Sequence, residues 1–243
     1  MKLLSGIKSA VNDLFFTEGI VCPTCGYDVF DDNIFCKDCL KTIPFNNGDI
    51  CEKCGRKTIT AAKYCLTCKV EMPSFEYARS AFVYKEPFDN LIKGLKLGGK
   101  KYLANELGIY LYRSYQKYGM TSDAAVFVPS HEKRVKQRGY CHAELLAKRF
   151  CTLSGLPLLS VLTKKKDTVS QTALTQAERK RNLINSFGIT DKTAVKGKNL
   201  LLIDDIITTA ATASEVAETL KKAGALSVKI LTLASLPDKN IKN

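Results

Sequence analysis

Between residues 22 and 68 the chain places eight cysteines in four CxxC pairs: Cys22 and Cys25, Cys36 and Cys39, Cys51 and Cys54, Cys65 and Cys68. Ten residues separate the first pair from the second, ten separate the third from the fourth, and the whole pattern repeats with a period of 29. A two-residue gap lets both sulfurs of one turn reach a single ion, and two such turns close a tetrahedron of thiolates around it. Gly26 and Gly55 follow the first pair of each repeat, where a metal knuckle needs a residue tolerant of positive φ. Every ligand position is sulfur, so the pattern predicts two structural Zn²⁺ with no position open to water. The segment has few large apolar side chains, and metal binding on the order of 10–16 kcal/mol supplies the folding free energy it would otherwise lack. The spacing admits consecutive or interleaved ligand sets, and the repeat favours consecutive ones.

The two other cysteines, Cys141 and Cys151, lie outside the repeat and read as small buried side chains. With eight of ten cysteines in metal-type spacing and no export signal recognised, a reducing, cytoplasmic setting is expected. The opening MKLLSGIKSAVNDLFF is interrupted by Lys8 and Asp13, unlike a secretory signal, and reads as a short amphipathic helix. No apolar run approaches the roughly 18 residues of a membrane span.

Charge is distributed unevenly. Residues 1–75 hold nine Lys plus Arg against nine Asp plus Glu, whereas residues 76–243 hold 28 against 15, which accounts for the whole net charge of +13. That excess points to an anionic partner, either nucleic acid or a phosphorylated small molecule. Eight thiolates on two Zn²⁺ would lower the holo charge to roughly +9.

From residue 75 onward strand and helix patterns alternate. SFEYARSAFVY, AAVFVP, PLLSVL, NLLLID and SVKILTLASL read as strands. PFDNLIKGLK, KYLANELGIYLYRSYQKYG and YCHAELLAKRFCTLSG read as helices, the first closed by Gly98 and Gly99 and the last by Gly155. The alternation implies an α/β fold with a parallel sheet and helices on both faces. Thr163–Lys198 is a long polar and basic excursion containing Lys164, Lys165 and Lys166, with capping-box spacing at Thr175 and Glu178. It is a candidate binding loop or a solvated insertion. Tyr102, Tyr110, Tyr112, Tyr115 and Tyr118 offer stacking faces for single-stranded nucleic acid or, more simply, helix packing. The expected domains are an N-terminal helix over 1–18, a double zinc ribbon over 19–72 and an α/β domain over 73–243.

LLIDDIITTAATASEVAETLKKAGA, residues 201–225, carries the chemistry. A buried strand delivers Asp204 and Asp205 to its carboxyl end, the edge at which open α/β sheets bind ligands. Thr212 and Glu215 have capping-box spacing, so Thr208, Thr209, Ala210, Ala211 and Thr212 should form a turn at a helix N-terminus able to wrap a phosphate. Two carboxylates beside a phosphate cradle suit a phosphorylated sugar.

Strand–DD–two aliphatics–TT–x–x–T resembles the phosphoribosyl pyrophosphate (PRPP) signature of type I phosphoribosyltransferases. VFVPSHEKRVKQRGYCHAELLA, SQTALTQAERKRN and AFVYKEPFDNLIKGLKLGGK, with the CxxC knuckles, narrow the resemblance to the ComF family of ComFC-like competence proteins. The resemblance implies a type I phosphoribosyltransferase-like domain behind a double zinc ribbon. It implies ribose binding by Asp204 and Asp205, and phosphate binding by Thr208, Thr209, Ala210, Ala211 and Thr212. A pyrophosphate-binding turn falls at Val128, Pro129 and Ser130, helped by Arg138 and the 164–166 lysines, with Mg²⁺ accompanying PRPP. Expected partners are PRPP, single-stranded DNA and proteins of the DNA-uptake machinery. The family signature has Gly where this chain has Ala210, and purine-salvage relatives have a carboxylate where it has Thr208. Two functions follow from the resemblance: DNA handling in natural transformation, or transfer of ribose 5-phosphate from PRPP to an unidentified acceptor.

Overall fold

The computed structural model describes residues 21–29, 33–58, 63–166 and 183–237. The expected helix over 1–18 and the Thr175–Glu178 capping box lie outside them. The chain divides into two compact units, Met1–Ile43 and Pro44–Asn243, with the boundary between the two cysteine repeats.

Each repeat folds the same way. In the first unit, Val21 bridges Asp28, the Gly26 N–H donates to the Cys22 carbonyl at 2.9 Å, and helix α1 (Lys37–Thr42) starts from Cys36. Twenty-nine residues on, in the second unit, Ile50 bridges Lys57, the Gly55 N–H donates to the Cys51 carbonyl at 2.9 Å, and helix α2 (Leu66–Val70) starts from Cys65. Gly26 and Gly55 have φ of +80° and +67°, as a turn that folds back on its own carbonyl requires. Burial separates the copies. Cys25 is exposed and Cys36 and Cys39 half-buried, whereas Cys51, Cys54, Cys65 and Cys68 are all buried.

The body of the second unit is a parallel sheet of β1 (Ala78–Val83), β2 (Ala124–Phe127), β5 (Asn199–Ile207) and β6 (Ser227–Ser235), in the order β1-β6-β5-β2. A separate antiparallel pair joins β3 (Leu162–Lys164) to β4 (Phe187–Ile189). The basic excursion thus leaves and re-enters through this pair. PLLSVL does not form the expected sheet strand: Leu158 makes only an isolated bridge to Ala125, and the ladder begins again at Leu162 with the other partner.

Strand side chains alternate between faces. Leu200 and Leu202 of β5, Val126 of β2 and Ile230 of β6 join one buried cluster with Val216, Ala217 and Leu220 of helix α7 (Ala211–Lys222). The second cysteine tetrad belongs to the same cluster, together with Phe75. Helices α4 (Leu103–Lys117) and α6 (His142–Ser154) pack on each other, α4 also on β1 and β6, α6 also on β2 and β5. Helix α3 (Phe88–Leu97) ends at Gly98 and the short helix α5 (Glu132–Arg138) at Gly139, whose φ is +84°. Among the described residues no helix is long and apolar enough to cross a membrane.

Candidate functional site at the carboxyl end of strand β5

β5 is flanked by β2 and β6 and is buried along most of its length. Its run of Leu200–Ile203 leaves no polar side chain until Asp204 and Asp205, which emerge just past the carboxyl end of β2, while β5 stays paired with β6 as far as Ile207. Asp205 is only 2% exposed. Its Oδ1 accepts from the Ile206 N–H at 2.9 Å, and Asp204 Oδ1 accepts from the Asp205 N–H at 2.9 Å.

Two groups from distant elements converge on Asp205, and a third stands behind one of them. Lys96, near the end of α3, brings its Nζ to 3.0 Å from Oδ2 and donates to Oδ1 at 3.4 Å. His142, at the start of α6, has its Nε2 3.4 Å from Oδ2. Arg138 Nη1 lies 2.8 Å from His142 Nδ1. A guanidinium only donates, so Nδ1 must accept and the imidazole proton must sit on Nε2, facing Asp205. Oδ2 is buried and at ion-pair distance from both groups, yet neither is aligned to give it a hydrogen bond.

The electrostatics follow from this packing. Burial disfavours a charged His142, and although Asp205 pulls the other way, the nearby Lys96 and Arg138 cations join burial in bringing the imidazole down to about 4. At neutral pH it is a neutral relay between guanidinium and carboxylate. Burial also pushes both carboxyls up. For Asp204 the Asp205 carboxylate adds to that push and holds it well above the usual range, whereas Lys96 and His142 more than offset burial at Asp205 and hold it below. The pair thus splits into a permanent anion and a carboxyl that is readily neutral.

Beyond β5 the chain turns through Thr208–Thr212 into α7. The expected capping box at Thr212 and Glu215 does not form. Helix α7 starts two residues earlier, with Ala210 as N-cap at φ +65°, ψ 0° and no side-chain cap. Glu215 instead accepts from the Asn185 N–H at 2.9 Å. Thr209 Oγ1 reaches the Ala211 N–H at 3.5 Å, while the N–H groups of Thr212 and Ala213 have no hydrogen-bond partner among the described residues. Such orphan donors are the anion-binding part of a helix N-terminus.

Val128, Pro129 and Ser130 follow β2 directly, and the Val128 N–H donates to the Ile203 carbonyl at 3.0 Å, which sets this turn beside the acids. Cys141 is buried beneath it, its Sγ 3.5 Å from Ser130 Oγ. Arg138 is turned toward His142, and Lys166 donates to the Ile184 carbonyl at 3.2 Å. Lys96 and His142 are not among the expected site residues. They come from 109 and 63 positions away from Asp205, and no local pattern signals a contact that only the sheet creates. Most of the tyrosines pack: Tyr110 is 5% exposed against Phe82, Tyr112 and Tyr115 lie edge-on to Phe150, and Tyr118 donates to the Asn46 carbonyl. Tyr102 is half exposed.

The cysteines fit zinc. Each consecutive set, 22/25/36/39 and 51/54/65/68, brings its four sulfurs within 4.8 Å of one another. Cys25 and Cys36, like Cys54 and Cys65, have sulfurs 3.6 Å apart, close to the edge of a tetrahedron with Zn–S bonds of about 2.3 Å.

Sequence comparison agrees with this geometry. Residues 135–243 match the phosphoribosyl transferase domain family and residues 11–69 the double zinc ribbon domain family. The chain is 28% identical over 180 residues to Competence protein F of Haemophilus influenzae, covering 71% of this chain and 79% of that one. It is 27% identical over 234 residues to the DNA utilization protein YhgH of Escherichia coli, covering 94% and 89%. It is 28% identical over 206 residues to Competence protein ComFC of Streptococcus pneumoniae, covering 84% and 88%. Fold and family matches therefore define a phosphoribosyltransferase-type α/β protein with an N-terminal double zinc ribbon. Within that class the chain is ComF-like.

Proposed function

We propose that this chain is a competence-associated protein that binds PRPP at the carboxyl end of β5 and handles single-stranded DNA. One observation carries the PRPP half: the buried Asp205 Oδ2, beside Asp204, has no aligned hydrogen-bond donor among the described residues, and a few residues on the chain offers orphan N–H groups at the start of α7. Lys96 offsets the charge of that oxygen at 3.0 Å, and a sugar hydroxyl is the kind of donor that would supply the aligned hydrogen bond it still lacks. In this proposal Asp204 and Asp205 take the ribose hydroxyls, and Thr208, Thr209, Ala210, Ala211 and Thr212 wrap the 5-phosphate. Val128, Pro129 and Ser130 face the pyrophosphate. Mg²⁺ would arrive with PRPP and neutralise pyrophosphate charge. Lys96 and His142 hold Asp205 ionised and oriented.

The sugar-phosphate half is tested by thermal unfolding of the zinc-loaded protein. PRPP with Mg²⁺ at 100 times its dissociation constant should stabilise the fold by about 2.7 kcal/mol, and ribose 5-phosphate should do less. An unchanged unfolding curve contradicts it.

The DNA half is supported by the net charge, carried wholly by residues 76–243, and by relatives named for competence and DNA utilization. It belongs in the cytoplasm, where incoming DNA would meet uptake proteins. Affinity for single strands that rests on phosphate contacts must fall steeply between low and moderate salt. Affinity that stays flat removes the physical basis of this half.

A further inference from the structure

The second cysteine tetrad sits against the turn that precedes α7, and one side chain joins the two. Arg56 lies two residues beyond Cys54 and is only 5% exposed. Its Nη2 donates to the Thr208 carbonyl, and its Nη1 reaches Thr67 Oγ1, between Cys65 and Cys68, at 3.4 Å. No carboxylate pairs with Arg56 among the described residues. A buried guanidinium needs compensation, and four thiolates on Zn²⁺ supply a net charge of −2 beside it. Four neutral thiols would supply none.

A second link runs in parallel. The Ser74 N–H donates to Ser214 Oγ at 2.9 Å and Lys221 donates to the Ser74 carbonyl, so the segment after the tetrad is tied to both ends of α7. The turn itself needs such support. Ala210 holds a left-handed conformation at φ +65° that is sterically disfavoured for any residue with a Cβ, and it has no side-chain cap.

We infer that Arg56 is a positioning residue for the 208–212 anion loop, so that zinc in the Cys51/Cys54/Cys65/Cys68 site and ligand in the loop are thermodynamically coupled. The inference rests on the PRPP assignment for its ligand, but the link between knuckle and loop stands apart from it. By reciprocity, whatever factor zinc adds to ligand affinity, ligand adds to zinc affinity.

The test uses the full zinc-loaded chain. Without PRPP, amide hydrogen exchange over 207–213 should be about tenfold faster in Arg56→Ala than in wild type, the equivalent of one charge-assisted hydrogen bond. Exchange in β6 should be unchanged and two zinc ions retained. Arg56→Lys, which keeps the charge but not the fork, should lie between them and serves where the alanine variant does not fold. With PRPP and Mg²⁺, the wild type should retain its second zinc against a zinc-selective chelator that strips it from free protein, and Arg56→Ala should lose that protection. Wild-type exchange rates over 207–213 in a folded Arg56→Ala overturn the inference whether or not PRPP binds. Failure of the wild type to bind PRPP, with faster exchange in the variant, overturns the PRPP assignment and leaves the link in place.

Discussion

The proton on His142 decides what the acidic pair can be. Arg138 fixes Nδ1 as an acceptor, so nitrogen NMR should find the Nε2–H tautomer and a neutral ring at pH 5.5. A ring that titrates near its ordinary 6.5 contradicts the buried relay. The same depression has a stability consequence. A group whose folded pKa lies below its unfolded one contributes stability that is full above the unfolded value and lost as pH falls toward the folded one. For His142 the window runs from 6.5 down to about 4, about 3 kcal/mol at most. Zinc release overlaps this range, so the measurement is the difference between wild type and His142→Gln, in which the amide keeps a donor and an acceptor but does not titrate. That difference should shift in favour of the variant as pH falls, and a constant difference contradicts it. Ala210 gives a second prediction at this scale. Its left-handed φ makes Ala210→Gly stabilising by about 1 kcal/mol in urea unfolding, since relief of strain exceeds the added chain entropy. The family resemblance places an alanine where the signature has glycine. It could not show that the turn keeps the glycine conformation regardless.

At the scale of elements, repeat symmetry in sequence hides asymmetry in cost. Gly26 and Gly55 occupy equivalent turns, both at positive φ. Among the described residues a Cβ at Gly26 meets nothing within 4 Å, whereas at Gly55 it would sit 2.4 Å from the Ala78 carbonyl oxygen, a backbone atom that cannot swing aside. Gly26→Ala should therefore cost about 1–2 kcal/mol from conformation alone, and Gly55→Ala clearly more, because β1 must shift. Thermal unfolding and zinc retention measure both, and equal effects contradict the packing. Much of the sheet was legible: β5 and β6 are long apolar runs, and α3, α4 and α6 follow helical periodicity to their closing residues. PLLSVL failed because a short apolar run says nothing of its partner, and it pairs with the main sheet at one residue only. The Thr212–Glu215 box failed because the residue spacing is compatible with a cap, but tertiary contact gave Glu215 another donor in Asn185.

Across the whole molecule, the zinc spacing, the acidic pair and the placement of charge are all readable in one dimension because each depends on residues close together. The environment of Asp205 was not. Lys96 and His142 reach it only after α3 and α6 have docked around β5, and Arg56 reaches Thr208 across 152 positions. Motif and surroundings thus combine into a cluster in which Asp205 is held between Lys96 and His142 with Asp204 beside it, and in the proposed reading both carboxylates meet the ribose hydroxyls. The most direct test is calorimetric titration of PRPP with Mg²⁺ into zinc-loaded wild type and into the Asp204→Asn, Asp205→Asn double variant. Saturable binding by the wild type is expected, with a loss of at least tenfold in the folded variant, since two hydroxyl contacts to carboxylates are weakened. Equal binding by both, or none by the wild type, would contradict it.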